Sequence, residues 1–200
     1  MSEINLPMSM DELEKFFQAK LGDSVSEIKK EEFKKGLKET PMKVFWLTVD
    51  RDGFRDAVKA VSEIQVPHLS VTSGSDKGDV VELIYHFHVN YGYPKKETSI
   101  NMKVQLPKDD LTIPTITDLV PGAITTEREK QEFLGVDVVD IPDSRRLWLD
   151  ENYPKDKHPW RWDEKGMEDV SHHVHDEKEN TLEKTVKEKG AERKGGDSDE

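Results

Sequence analysis

Apolar residues in the first half of the chain alternate between helical and strand periods. Ser9 and Glu12 have capping-box spacing, and behind them Leu13, Phe16, Phe17 and Leu21 recur at helical intervals until Gly22 offers a stop. This predicts a helix over about 11–20. The polar stretch 24–33 places Val25 and Glu27 on one face and Ser26 and Ile28 on the other, which suits an edge strand. Residues 44–49, rich in β-branched and aromatic side chains, read as a buried strand. Asp50 can cap the next helix, where Phe54, Ala57, Val58 and Val61 form one stripe until Pro67 breaks it.

A second strand group follows. Residues 68–72 read as a strand and 73–79 as a turn, with Gly74 and Gly78 among Ser and Asp. Val80–Val89 carries the strongest strand signal of the sequence. Residues 99–106, alternating Ile100, Met102, Val104 and Leu106 on one face, read as its outer antiparallel partner. The sum is an α+β fold, a mixed or antiparallel sheet covered by helices. After Pro107 the chain is punctuated by Pro114, Pro121 and Pro142; a helix starting near Asp118 or Thr125 ends at Leu134 before Gly135, and a short strand covers 136–141.

Composition adds the boundaries. Hydrophobic residues make up 34% and charged residues 36% of the 200, against norms of roughly 45–50% and about 25%, so part of the chain does not belong to the core. The sequence divides into a domain over 1–150, a proline- and aromatic-rich extended arm over 151–167, and a charged tail over 168–200 that cannot bury enough apolar surface to fold alone. The formal net charge of −12 argues against nonspecific binding to nucleic acid or anionic lipid. No apolar run approaches the roughly 20 residues of a membrane span, and the N-terminus lacks the basic and apolar stretches of a signal peptide, so a soluble intracellular chain, or one peripheral on something larger, is expected.

Candidate chemistry is sparse. Without cysteine the chain offers no disulfide, no thiol nucleophile and no thiolate for zinc or an Fe–S cluster. His86 and His88 share one strand face, while Tyr85 and Phe87 point to the core; an H-x-H pair suits zinc or acid–base work, although half-buried strand histidines without chemistry are commoner. His172, His173 and His175, with Asp176, read as solvated tail residues capable of weak metal binding. There is no nucleophile elbow, phosphate loop, dinucleotide fingerprint or H-E-x-x-H. Catalytic, cofactor-binding and metal residues are therefore expected to be none.

One segment stands out. Glu127, Arg128, Glu129, Glu132 and Gly135 are followed by Pro142, Asp143, Arg145 and Arg146. Arg128 and Glu132 have i,i+4 spacing, and the two arginines sit on a Pro-Asp turn near enough in chain to fold back on Glu127 and Glu129. Charges of both signs around a packed turn suit a polar interface of fixed register, with an ordinary solvated helix as the alternative.

This stretch resembles the signature of the thirty-kilodalton (C) subunit family of respiratory complex I, in which a Glu-Arg-Glu triplet, an acidic residue, apolar residues and a glycine precede Pro-Asp and two arginines. Residues 106–119, from Leu106 and Pro107 to Asp118 and Leu119, resemble the run before that signature, and His158, Pro159, Trp160 and Arg161 resemble its closing His-Pro-Leu-Arg. The similarity spans about 44–164. Glu132, Phe133, Leu134 and Gly135 stand where the family has Asp-Leu-Phe-Gly, Ile141 stands where a histidine often precedes Pro-Asp, and Trp160 replaces leucine. These departures suggest a divergent branch, as in membrane-bound energy-converting hydrogenases or the archaeal membrane-bound sulfane sulfur reductase. Lys/Glu richness without cysteine leans the same way, since hyperthermophile proteins share it, though a plain acidic surface accounts for it equally.

The resemblance implies an α+β domain followed by an extended C-terminal segment that wraps a partner. It implies a cofactor-free structural or assembly subunit of the hydrophilic arm of a redox-driven, ion-pumping membrane complex, peripheral on the cytoplasmic face. Partners would be a chain like the hydrogenase large subunit and a small subunit holding Fe–S clusters, with a Ni–Fe centre in hydrogenase members. The implied interface residues are Glu127, Arg128, Glu129, Glu132, Asp143, Arg145, Arg146 and Trp160. Hydrogen evolution, polysulfide reduction and quinone reduction all stay open, because that chemistry lies in other chains. A stand-alone adaptor domain with an acidic tail is the alternative, and a metalloenzyme using His86 and His88 a more distant one.

Overall fold

A computed structural model describes residues 4–37 and 39–167; the tail reading and the histidines at 172, 173 and 175 fall outside them. Helix α1 (Met10–Leu21) leads through a short 3-10 turn to strands β1 (Val25–Lys35) and β2 (Thr40–Val49), helix α2 (Phe54–Ile64), and strands β3 (His68–Asp76), β4 (Val80–Val89) and β5 (Thr98–Pro107). Strand β6 (Thr112–Pro114), helix α3 (Ala123–Leu134) and strand β7 (Asp137–Val139) complete the elements. The main sheet has the order β1-β2-β5-β4-β3, and β6 pairs with β7 in a small second sheet. The α+β class with a mixed sheet is therefore as expected.

Three expectations change in detail. Strand β5 is central rather than outer, because it pairs in parallel with β2 on one side and antiparallel with β4 on the other. The parallel pairing arises because α2 carries the chain across the sheet between β2 and the β3–β4–β5 meander. Strand β3 continues through the expected turn to Asp76, with Gly74 paired to Leu83 and Ser75 to Glu82. Gly74 is required there by close approach: a Cβ on it would lie 2.5 Å from Leu134 Cδ1 of α3. In β1 a bulge between Val25 and Glu27 shifts the register, so Val25 and Ile28 meet Val49 and Leu47 on one face. The alternation anticipated Val25 with Glu27, because a bulge has no signature in the polar pattern.

The core lies between α1, α2 and the inner sheet face. Leu13 and Phe17 of α1 and Phe54, Ala57, Val58, Val61 and Ile64 of α2 are buried against Phe45, Leu47, Tyr85, Phe87, Ile100 and Met102. Phe17 stacks on Phe45 at 5.8 Å and Phe54 meets Tyr85 at 4.7 Å. Each such side chain contributes roughly 1.5–3 kcal/mol of burial. The capping box forms as spaced, with Ser9 N–H donating to the Glu12 carboxylate at 2.7 Å. Asp50 does not cap α2 directly; it accepts the Gly53 N–H at 2.6 Å and closes the turn that launches the helix.

The outer sheet face carries His86, His88, Trp46, Glu82 and Lys103 instead of a helix layer. His86 bridges the strands, Nε2 to Ser73 Oγ at 2.8 Å and Nδ1 to Asn101 Oδ1 at 2.9 Å. Burial lowers the pKa of His88, partly opposed by the Glu97 carboxylate 3.1 Å from Nδ1. Among the described residues no group of three His, Cys, Asp or Glu is placed to hold a metal ion.

Candidate functional site

Helix α3 distributes its charged residues over different surroundings. Glu127 is 1% exposed and faces inward. Its carboxylate accepts the Thr115 hydroxyl at 2.6 Å and the Ile116 N–H at 2.9 Å, fixing the loop after β6. It therefore does not meet the arginine pair. Burial raises its pKa, and the two hydrogen bonds offset only part of that. A raised folded-state pKa means that Glu127 contributes most at low pH and less as pH rises through the folded value. Glu127→Gln is thus expected to gain stability relative to the wild type as pH rises above the ordinary glutamate pKa of about 4.3. Glu127→Leu, leaving the Ile116 N–H unpaired, should cost about 1–3 kcal/mol at low pH, where Glu127 contributes most. Thermal melts at several pH values check both, and a Gln/wild-type difference that does not change with pH would refute the ionised buried carboxylate.

Arg128 and Glu132, one turn apart, reach the segment after Pro142 rather than each other. Arg128 donates from Nε to the Arg145 carbonyl at 2.8 Å and from Nη2 to the Arg146 carbonyl at 3.1 Å, and its Nη1 lies 3.3 Å from Asp143. Glu132 accepts the N–H groups of Leu147, Trp148 (2.9 Å) and Leu149 (3.1 Å). A cation therefore holds two carbonyls and an anion three amides of one loop, the charge-assisted pairing that favours both partners. The loop closes on itself as well. Asp143 takes Arg145 in a fork at 2.9 and 2.8 Å, and this hydrogen bonding holds its carboxyl well below the usual range. Arg146 donates to the carbonyls of Tyr153 (2.6 Å), Pro154 (3.1 Å) and Asp150 (3.2 Å). Glu129 is bonded to Lys130.

The following segment, expected to extend toward a partner, packs on its own domain and belongs to the same compact unit, Met1–Gly166. The last carbonyls of α3, which have no intrahelical partner, are taken in order by the arm. His158 Nδ1 lies 2.9 Å from the Glu132 carbonyl, the Trp160 N–H donates to Phe133 at 2.8 Å, and Arg161 Nη1 donates to Leu134 at 3.3 Å. Gly135 makes the exit possible: its φ is 72°, and a Cβ would lie 2.6 Å from the His158 ring. Trp160 stacks on Phe133 at 4.6 Å and carries the Lys130 ammonium 4.8 Å from its ring centre. Burial lowers the Lys130 pKa, opposed by Glu129.

Beyond Trp160 the arm is anchored at the β3–β4 turn. Asp76, whose side chain is fully buried, accepts the Trp162 N–H and the Gly78 N–H, each at 2.9 Å, and pairs with Lys108 at 2.8 Å. Asp163 takes Lys108 at 2.8 Å and Arg161 in the same cluster. In the sequence His158 and Arg161 figure only in the closing His-Pro-x-Arg resemblance and Lys108 only in the run before the signature, none of them as a site residue, while Asp76 and Asp163 are ordinary acids until the arm returns to the strand. The structure thus gathers Arg128, Glu132, Asp143, Arg145, Arg146 and Trp160 around the α3–arm junction and leaves Glu127 apart. Facing outward from it are Arg145, with 85% of its side chain exposed, Leu147 and Trp148, the last 61% exposed.

Residues 47–170 match the family described as respiratory-chain NADH dehydrogenase, 30 Kd subunit. The chain is 32% identical over 123 residues to the membrane-bound hydrogenase subunit beta of Pyrococcus furiosus, covering 61% of this chain and 70% of that protein. It is 29% identical to NAD(P)H-quinone oxidoreductase subunit J of Prochlorococcus marinus, covering 54% and 64%. Its fold matches a chain of the membrane-bound sulfane sulfur reductase, an archaeal respiratory membrane complex, with a TM-score of 0.61 at 20% identity, covering 83% of this chain and 89% of that one.

Proposed function

The chain belongs to the 30 Kd subunit family of the respiratory-chain NADH dehydrogenase, and from that premise we propose that it is a cofactor-free structural subunit of a complex I-like, membrane-bound oxidoreductase. The hydrogenase and sulfane sulfur reductase relatives favour a complex of those types. It would sit peripherally on the cytoplasmic side, as the resemblance implies; no helix among the described residues is long and apolar enough to cross a membrane. Its partners would be a hydrogenase-large-subunit-like chain and a small subunit carrying Fe–S clusters. Redox centres belong to those chains in this reading, because the sequence offers no thiolate to hold a cluster.

The observation that carries the proposal is the clamped loop 143–150. Arg128 and Glu132 fix its backbone from below, and Arg145, Leu147 and Trp148 project from it into solvent. An ordered loop presenting Trp and Arg is suited to docking, because little side-chain and backbone freedom is lost on binding. The arginine pair divides its labour accordingly: Arg146 is committed to the carbonyls of the loop and arm, whereas Arg145, forked to Asp143 but with 85% of its side chain exposed, still presents its outer face to a partner. A stand-alone adaptor is disfavoured by the family membership.

The test is affinity purification of the tagged chain from detergent-solubilised membranes of its native host. Co-elution with iron-containing chains of a membrane oxidoreductase is expected. Arg145→Ala/Trp148→Ala, which leaves the Arg128 and Glu132 clamp in place and removes only the exposed Asp143–Arg145 fork from the loop, should weaken that association at least about thirtyfold, as loss of a hot spot does, with an unchanged thermal melt showing that the loop is still held. A chain that elutes without redox partners would defeat the proposal, and normal assembly of the variant would move the interface elsewhere.

A further inference from the structure

A second surface lies at the opposite corner of the sheet. Strand β2 pairs with β5 only from Lys43 onward, while the β1–β2 ladder continues through Phe33–Met42 and Lys34–Pro41 to Lys35–Thr40. Three rungs of hairpin therefore project roughly 10 Å beyond the sheet. Leu37 at its tip is fully exposed, and Phe33 and Met42, which face each other across the ladder, are each 39% exposed. The loop between β4 and β5 ends beside the hairpin base and adds Tyr93. Between them is a cavity of about 470 Å³ whose lining includes Pro41, Met42, Tyr93 and Pro94 together with Lys43, Lys95 and Glu97.

The charge of this corner is opposite to that of the whole protein. Lys35, Lys43, Lys95 and Lys96 have no carboxylate partner among the described residues, on a chain of net charge −12. Exposed apolar side chains clustered with unpaired cations mark an interaction site rather than solvated surface. We propose that this hairpin corner docks an acidic segment of another protein that carries apolar side chains, in the assembly inferred above, on which this inference rests. A protein fits better than an anionic bilayer for two reasons. Glu32, Glu39 and Glu97 are interspersed with the lysines, a pattern that discrete acidic side chains spaced between apolar ones can match and a uniformly anionic surface cannot. The cavity is concave, whereas a flat lipid surface is met by convex tips. Because α3, the helix that clamps the loop, packs on β3 at one edge of the sheet and this corner lies at β1–β2 on the other, the two surfaces would engage different parts of the assembly, and the chain would act as a bridge.

The experiment replaces Leu37 by the photo-cross-linker p-benzoylphenylalanine in the full chain expressed in its native host. Illumination of membranes should give one protein adduct, mapping by mass spectrometry to a segment rich in Asp and Glu. Adding Lys43→Glu and Lys95→Glu should lower the adduct yield about tenfold or more, since like charges then face each other, while the chain still co-purifies through the clamped loop. These residues are on the surface, and an unchanged thermal melt shows that the fold is intact. An adduct with phospholipid, an adduct with a segment lacking acidic residues, or a yield indifferent to the charge reversal overturns the inference while leaving the subunit reading standing. A chain that co-purifies with no redox partner at all overturns both.

Discussion

Glu132→Ala is expected to detach the arm from α3 and destabilise the domain by about 3–5 kcal/mol, a drop in Tm on the order of 10 °C. The side chain is 6% exposed as a residue and accepts three successive backbone N–H groups, those of Leu147, Trp148 and Leu149. Alanine can accept none of them. Either the amides stay desolvated, or the loop lifts away and carries with it the contacts beyond, where His158, Trp160 and Arg161 cap the helix. Glu132→Gln keeps one carbonyl oxygen but turns an amide toward N–H groups, so it should lose about half as much. Denaturant titration followed by tryptophan fluorescence reads the change, because Trp148 and Trp160 lie in the released segment. A loss below about 1 kcal/mol for the alanine variant would mean that the loop is not held by this carboxylate.

The second large effect is expected at Asp76. Its buried carboxylate pairs with Lys108 at 2.8 Å, lies 3.6 Å from Arg161 and accepts two backbone N–H groups. Asp76→Ala leaves two cations dependent on Asp163 alone and should cost about 3–5 kcal/mol, as loss of one member of a buried charge cluster does. The cluster also sets a pH dependence. Burial works against ionisation of both acids, but Lys108 with the Trp162 and Gly78 N–H groups lowers the Asp76 pKa, and Arg161 with Lys108 lowers that of Asp163. Depressed folded-state values contribute stability that is present above the ordinary carboxylate range and is lost as pH falls through them. The wild type should therefore lose stability below about pH 4 more steeply than Asp76→Ala does. Parallel acid titrations would disprove the assignment. The cost of combining Asp76→Ala with Glu132→Ala should fall short of the sum, because both release the same segment.

How far the sequence reached depends on the range of the interactions involved. The α1 capping box, the α2 stripe, the long β4 and the Gly135 stop depend on residues a few positions apart, and all four formed as their spacing indicated. The signature from Glu127 to Arg146 was legible as a unit for the same reason, and the family match over 47–170 covers it. The pairing within it was not. Arg128 and Glu132 have the spacing of a mutual ion pair, yet each serves backbone groups of a loop about 17 residues on, where five polar groups need partners and a single surface pair would contribute little. Glu127 looks equivalent to Glu129 in the sequence, but the helix turns it toward Thr115 and Ile116, so one glutamate is buried and the other is not.

The amino-acid sequence by itself determined the helices and the main strands, the α+β class, the absence of thiolate chemistry and the location of the family signature, because hydrophobic period, capping residues and residue type act locally; the short β6, formed only by pairing with β7, was not legible. Only the tertiary structure decided that β5 is central, that β3 runs past Gly74, and that residues 151–166 make their contacts on α3 and the β3–β4 turn. Each of those outcomes rests on groups far apart in the chain. Asp76 meets Trp162 across 86 positions, and an exposed-looking aspartate becomes an anchor only when a distant N–H and two distant cations arrive beside it. Burial of a charge is favourable only with its partners in place, and which partners arrive is a property of the folded chain.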